Sequence, residues 1–288
     1  MKCSLLTPFL AKTGTICLTS HEIVFFFDIV QKNDQGSQES YLFFQQNVEK
    51  EESLFKIWNL KHLKEIQKRR FLLYKNSLEI FLTTGKSILL KFEQSDDRDQ
   101  FAKKIIRQRN QKCTNLQYFD SLDPKKIIKR KELTEKWQNW KISNFEYLMQ
   151  LNQLAGRSYN DLSQYPVFPW LFMLENEEET QDLKTQKIRD MSKNMAMLGS
   201  QRRQQEYTKK FEDSDNYIDK YMGNFHSGSH YSNPGIVLHY LSRLSPYFDA
   251  YAELHGQTLD SADRSFSSIL VSFTSALNDF SDVRELIP

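Results

Sequence analysis

The chain is poor in the residues on which several common kinds of site depend. Its 288 residues include three cysteines, Cys3, Cys17 and Cys113. They are odd in number, far apart and without C-x-x-C spacing, so neither a disulfide framework nor a zinc site is indicated. Nine glycines supply neither a G-x-x-x-x-G-K-[ST] loop nor a G-x-G-x-x-G turn, which removes the two glycine-rich phosphate cradles. No apolar run approaches the ~18 to 20 residues needed to span a bilayer, so an association with membranes would be peripheral. An excess of one charge is also missing: 39 Lys and Arg against 37 Asp and Glu leave a formal net charge of +2, which does not point to nucleic acid as a main partner. The expectation is a soluble cytoplasmic chain with reduced thiols, long enough for two ordinary domains. Lys2 ahead of CSLLTPFLA imitates a short signal peptide, but Pro8 interrupts the segment, which reads as a first strand.

What is present begins with strand signals. GTICLTSHEIVFFFD, from Gly14 to Asp28, alternates at Ile16 and Leu18, turns at Thr19-Ser20-His21 and resumes with β-rich apolar residues. A polar insertion over 31–53, interrupted by the strand-like Tyr41 to Phe44, is expected to be a loop. Three further strands are predicted at Arg70 to Tyr74, Leu78 to Leu82 and Ile88 to Phe92, with turns at Lys75-Asn76-Ser77 and Thr84-Gly85-Lys86. A helix follows, with Asp97 and Gln100 as its expected cap and Phe101, Ala102, Ile105 and Ile106 as one apolar stripe. Antiparallel strands closed by a C-terminal helix form the pattern of a pleckstrin-homology fold. On such a fold Lys61, Lys64, Lys68, Arg69 and Arg70 are candidates to attract an anionic head group, although solvated charges flanking strands are the favoured account of them.

The basic run Lys125, Lys126, Lys129, Arg130 and Lys131 reads as a solvated connector in which Ile127 and Ile128 are able to dock. Leu133, Trp137 and Trp140 share one helical face and are expected to pack. The densest information lies from Ser143 to Phe172, SNFEYLMQLNQLAGRSYNDLSQYPVFPWLF. Ser143 and Glu146 form an S-x-x-E capping box, and Phe145, Tyr147, Leu148, Met149, Leu151 and Leu154 surround the helix with apolar side chains, which suits a core. Gly156 is placed for a left-handed cap. Beyond it, Tyr165-Pro166 and Phe168-Pro169 enforce extended backbone in a segment too aromatic for a solvated loop. Buried irregular backbone needs partners, and Arg157, Asn160, Asp161 and Gln164 are the side chains at hand.

This stretch resembles the start of the BEACH domain shared by the neurobeachins, the lysosomal trafficking regulators and the factor associated with neutral sphingomyelinase activation. IRDMSKNMAMLGSQRRQQEYTKKFED, FHSGSHYSNPGIVLHYLSRLSPYF and GQTLDSADRSFSSILVSFTSALNDFSDVRELI resemble later parts of the same domain. The chain departs from the pattern at Asn194, where proline is usual, at Gln257, where a second glycine is usual, and at Phe273, where tryptophan is usual. CSLLTPFLAKTGTICLTSHEIVFF and KIWNLKHLKEIQKRRFLLYKNSLEIFLTTGKSILLKF resemble the PH-like domain that precedes BEACH domains. The resemblance implies an α+β multidomain protein: a PH-like antiparallel barrel or sandwich capped by a C-terminal helix (1–110), a linker (111–132), and a mostly helical BEACH domain with buried irregular segments (133–288), incomplete at its C-terminus. It implies a fragment of a longer protein, in which WD-type repeats usually follow.

No catalytic constellation is expected. His226 and His230 stand i, i+4, but Gly228 and Ser229 separate them and no H-E-x-x-H order exists, so no metal and no cofactor are predicted. Asn144, Arg157, Asn160, Asp161, Tyr165, Trp170, Asp260, Asp263 and Arg264 are the candidates for a structural polar network or a partner-binding surface, with the charged ones favouring a buried network. Lys64, Lys68, Arg69 and Arg70 are the candidate lipid contacts. The function implied by the resemblance is a non-enzymatic scaffold in vesicle trafficking, with intramolecular PH-BEACH packing and protein partners in the interdomain groove. Its expected location is cytoplasmic, peripheral on endosomal or lysosomal membranes. The alternative is a module that targets anionic lipid.

Overall fold

The computed structural model of the protein describes residues 1–28, 54–108, 116–119, 124–174, 187–213, 233–256, 258, 261–282 and 284–288. The polar insertion, the acidic run from Glu175 to Asp182, whose charges predict a solvated surface insertion, the pair His226 and His230, and Asp260 lie outside the described residues. The chain divides into two compact units, 1–166 and 167–288.

Seven antiparallel strands build the first unit: β1 Lys2–Leu6, β2 Ala11–Leu18, β3 Glu22–Phe27, β4 Phe55–Asn59, β5 Leu63–Phe71, β6 Tyr74–Leu82 and β7 Ser87–Phe92. After helix α1 (Ser95–Arg107), the short β8 (Gln117–Phe119) joins the edge of β5 in parallel, giving the order β4-β3-β2-β1-β7-β6-β5-β8. Alternation places Ile16, Ile23, Phe25, Ile66, Leu78, Ile80, Leu90 and Phe92 in one core, which Phe101, Ala102 and Ile105 of α1 complete. Burying each such side chain stabilises the fold by roughly 1.5–3 kcal/mol. At Gly14 on β2 a Cβ would stand 2.2 Å from the Phe26 carbonyl oxygen, so only glycine permits that approach.

Three local expectations are corrected here. The β5–β6 turn is not at Lys75-Asn76-Ser77, which lies inside β6 with Asn76 and Ser77 buried and Asn76 Nδ2 donating to the Phe92 carbonyl at 2.6 Å. It is at Leu72 and Leu73, between the paired Phe71 and Tyr74, with φ values of 47° and 72°. A two-residue loop with both central residues left-handed is the hairpin geometry that usually takes Asn-Gly, and leucine there costs about 1–2 kcal/mol per residue. The cap of α1 is Gln94, whose side chain makes no cap bond, while Asp96 and Asp97 stand in the first turn, where they favour the helix dipole. The basic run keeps Lys125, Lys126 and Lys129 exposed, as expected, but Lys131 is not solvated, since it is drawn onto Glu65. The run forms helix α2 (Pro124–Lys131), which buries Ile127, and α3 (Leu133–Gln138) follows it.

Helix α4 (Asn144–Leu154) has the expected capping box, and Gly156 follows with φ of 84°. Its burial is different from what its composition suggests. Asn152 is its buried residue, and Phe145 is exposed. Trp137 stacks on Tyr147 at 4.8 Å and 8°, while Trp140 has φ of 57° and is 85% exposed, so it does not pack as expected.

The second unit contains β9 (Phe168–Pro169), helices α5 (Met195–Leu198), α6 (Gln201–Asp213), α7 (Pro234–Leu241), α8 (Tyr247–Leu254) and α9 (Ile269–Asn278), and β10 (Leu286–Ile287), which pairs antiparallel with β9. Asn194, in the position where proline is usual, caps α5 by accepting from Met197 N at 3.0 Å. Asn233 caps α7 with Pro234 at its start. Trp170, Met195, Phe273 and Ala276 form the core, with Trp170 and Phe273 edge to face at 5.5 Å. The dense charges from Arg202 to Lys210 predict an exposed helix, yet α6 buries Arg203 and Tyr207.

Candidate functional site

On β6 the alternation that sends Leu78 and Ile80 inward sends Ser77 and Glu79 to the opposite face, where solvent would be expected. Both are nevertheless buried. Residues 131–160 meet Glu79 and its neighbours on β5 and β7 through a seam of polar groups. Arg69 Nε donates to Glu79 Oε2 at 2.7 Å, and its Nη1 donates to the Gln153 carbonyl at the end of α4, also at 2.7 Å. Glu79 Oε1 accepts from Ser87 Oγ at 2.8 Å and from Ser158 Oγ at 2.6 Å, while Asn160 Nδ2 reaches Ser87 Oγ at 2.9 Å. Farther along β5, Lys131 Nζ donates to both carboxylate oxygens of Glu65, at 2.8 and 2.7 Å, and to Gln150 Oε1 at 3.0 Å. Burial lowers the Lys131 ammonium from its usual value, and the attraction of Glu65 only partly offsets this. Buried charges paired and hydrogen-bonded on this scale hold two pieces of chain in one arrangement.

Beside the seam lies a cleft. Its walls are the β1–β2 turn from Leu6 to Ala11, the β5–β6 turn at Phe71 and Leu72, and the segment Asn160 to Ser163. The walls are mainly apolar, and Asp161 stands at the polar end. Asp161 Oδ1 accepts from Ser163 N at 2.9 Å and from Ser163 Oγ at 2.6 Å. Burial pushes its carboxyl above the ordinary range, against those hydrogen bonds, and the charge of Glu79 adds to the rise. The arrangement is a mainly apolar groove with one buried carboxylate in its lining.

The residues singled out from the sequence are distributed as follows. Asn160 and Asp161 meet at the cleft, and Arg157 Nη1 donates to the Tyr165 carbonyl at 2.8 Å, bracing the irregular turn. Tyr165 is buried edge to face with Tyr159 at 5.2 Å. Asn144 accepts from Trp137 Nε1 at 2.7 Å on the surface of the first unit. Trp170 belongs to the second unit, with its Nε1 buried and unpartnered. Asp263 and Arg264 are exposed on a turn of that unit, so neither belongs to a buried charged network. Of the basic candidates, Lys64 and Arg70 are exposed. Arg69 is committed to Glu79, and Lys68 is ion-paired with Asp99 at 3.2 Å. Glu65, Glu79, Ser87, Lys131, Ser158 and Arg203 are missed by sequence reasoning. For Glu79 the signal was a carboxylate inside the apolar run SLEIFL. Arg203 carries no such signal. It is 1% exposed, donates from Nη2 to the Asp282 carbonyl at 2.7 Å and lies over the Tyr207 and Phe280 rings.

Comparison with known proteins places these features. Residues 3–106 match the model of the PH domain associated with Beige/BEACH, and residues 135–288 match that of the Beige/BEACH domain. The chain belongs to the BEACH family. It is 37% identical over 302 residues to the BEACH domain-containing protein lvsE of Dictyostelium discoideum, an alignment that takes in 100% of this chain and 14% of the relative. Putative neurobeachin homologs of Caenorhabditis elegans and Caenorhabditis briggsae are each 33% identical over 99% of this chain and 11% of their own length. The chain thus spans a small part of these relatives. The seam gains a meaning from the two matches: Glu65, Arg69, Glu79 and Ser87 lie in the PH-associated region, and Gln150, Gln153, Ser158 and Asn160 lie in the BEACH region. Among the described residues, no three His, Cys, Asp or Glu side chains are grouped to hold a metal ion, and no helix is long and apolar enough to cross a membrane.

Proposed function

We propose that this chain is a non-enzymatic scaffold of vesicle trafficking, in which the PH-like sheet and the start of the BEACH sequence together form one docking body for a protein partner. The observation that supports the reading is the polar seam, which joins the PH-associated and BEACH regions inside one compact unit and leaves an apolar cleft with a carboxylate beside it. Neither region alone supplies all three walls of that cleft. The partner segment it suits is a short apolar stretch followed by a cationic or N–H donor group for Asp161. The intended setting is the cytoplasmic face of endosomal or lysosomal membranes, as the family resemblance implies.

The test is photo-crosslinking from Leu10 at the cleft, followed by binding of the purified captured protein to the chain and to its Leu10→Asp variant. A trafficking component that binds at least tenfold more weakly to the variant supports the reading. Binding unchanged by Leu10→Asp, or no purified protein that binds, overturns it.

A further inference from the structure

The β5–β6 hairpin ends in two leucines held in a backbone conformation that leucine disfavours. Leu72 is 45%, Leu73 91% and Tyr74 69% exposed. Leu73 therefore strains the turn without gaining core burial, and the tip makes little contribution to the fold that Asn-Gly would not make better. Residues kept against local preference point to what the tip touches outside the molecule. Arg70 and Lys75 flank it, one on each strand, both exposed and neither held in an ion pair among the described residues.

We infer that this tip is a wedge for the interface of an anionic lipid bilayer. Leu73, its outermost residue, is 91% exposed, so the tip suits insertion rather than enclosure. Leu72 and Leu73 would enter the acyl boundary, and the amphipathic Tyr74 ring would lie at headgroup level. Arg70 and Lys75 would bury their stems and keep their charges among the phosphates. A protein pocket for Leu73 would also need carboxylates on both sides, whereas a bilayer with anionic headgroups supplies the apolar and the charged layer together. Asp96 and Asp97 occupy the first turn of α1, which Arg98 ties to the Lys75 carbonyl. Carboxylates on that flank make insertion the main attraction and keep the salt dependence shallow. This wedge differs from the basic face read from the sequence, of which it retains only Arg70.

The fold itself provides the test, because Leu72→Asn with Leu73→Gly installs the preferred turn while removing the wedge. The whole chain is sedimented with vesicles of phosphatidylcholine alone and of phosphatidylcholine with phosphatidylserine. The wild type is expected to bind the mixed vesicles, and the double variant to bind at least tenfold more weakly while its thermal midpoint rises. Arg70→Gln with Lys75→Gln is expected to weaken the phosphatidylserine arm alone. A wild type that remains in the supernatant, or a double variant that binds as well as the wild type, overturns the proposal.

Discussion

Arg69 on β5 and Glu79 on β6 are diagonal rather than opposite neighbours, since Gln67 pairs with Glu79 and Arg69 with Ser77, and their side chains meet at 2.7 Å out of contact with water. The diagonal leaves the far side of each group available to the covering chain. Arg69 spends it on the Gln153 carbonyl and Glu79 on Ser158. One ion pair thus belongs to the sheet and to the segment across it.

Removing one member of that pair leaves the other buried and charged. Arg69→Met is expected to destabilise the first unit by about 3–5 kcal/mol, whereas Arg69→Met with Glu79→Met should cost much less than the sum of the two single changes. A double-mutant cycle from urea denaturation measures this, and additive single costs would refute the coupling.

Lys131 and Glu65 predict a rescue. Lys131→Met strands the Glu65 carboxylate, and adding Glu65→Gln removes the stranded charge while keeping an acceptor. The double variant should be more stable than Lys131→Met alone by about 1–3 kcal/mol, read by the same denaturation.

These predictions concern residues that the linear sequence hides, and the reason is physical. Strand periodicity assigns Glu79 to an outer face but not to water, because its partner Ser158 stands 79 positions away. What was legible rested on local chemistry: the Ser143 capping box, Gly156, the Asn233-Pro234 helix start and the apolar stripe of α1. The β5–β6 turn was misplaced because Lys-Asn-Ser has turn chemistry and Leu-Leu has none, and pairing with β7 overrode the preference. Helix α4 has the composition of a core helix, yet Asn152 is its buried member, so composition did not report what surrounds it in this chain. The candidate cleft was legible only at Asn160 and Asp161.

Asp161 predicts a pH dependence. Its folded value lies above its unfolded one, so the stability it takes part in is fullest below about pH 4 and declines as the pH rises through the folded value. Asp161→Asn keeps an acceptor for Ser163 and removes the buried charge. Its thermal midpoint should exceed that of the wild type at pH 7, with the gap closing toward pH 4. A gap independent of pH would count against the assignment.

Asp282 should behave in the opposite sense. Burial opposes its charge, but the hydrogen bonds and charge of Arg284, with Ser275 Oγ at 2.9 Å, hold its carboxyl below the ordinary range. Its contribution is present above about pH 4 and lost as the pH falls through the folded value. Asp282→Asn should therefore lower the melting midpoint at pH 7 and flatten the acid limb of the stability curve. An acid limb as steep as that of the wild type would exclude Asp282 as its source.

The four seam bonds of Lys131 to Glu65, Asn160 to Ser87, Ser158 to Glu79 and Arg69 to Gln153 span 66, 73, 79 and 84 residues of chain. Loop closure of that length is an entropic cost met before the bonds return anything, so the meander, with its neighbouring strands, is expected to form before the seam. The seam is then a late element of folding and an early one of unfolding. Substitutions in it should raise the unfolding rate and leave the refolding rate nearly unchanged, which makes the seam the feature that sets how long the first unit persists once formed.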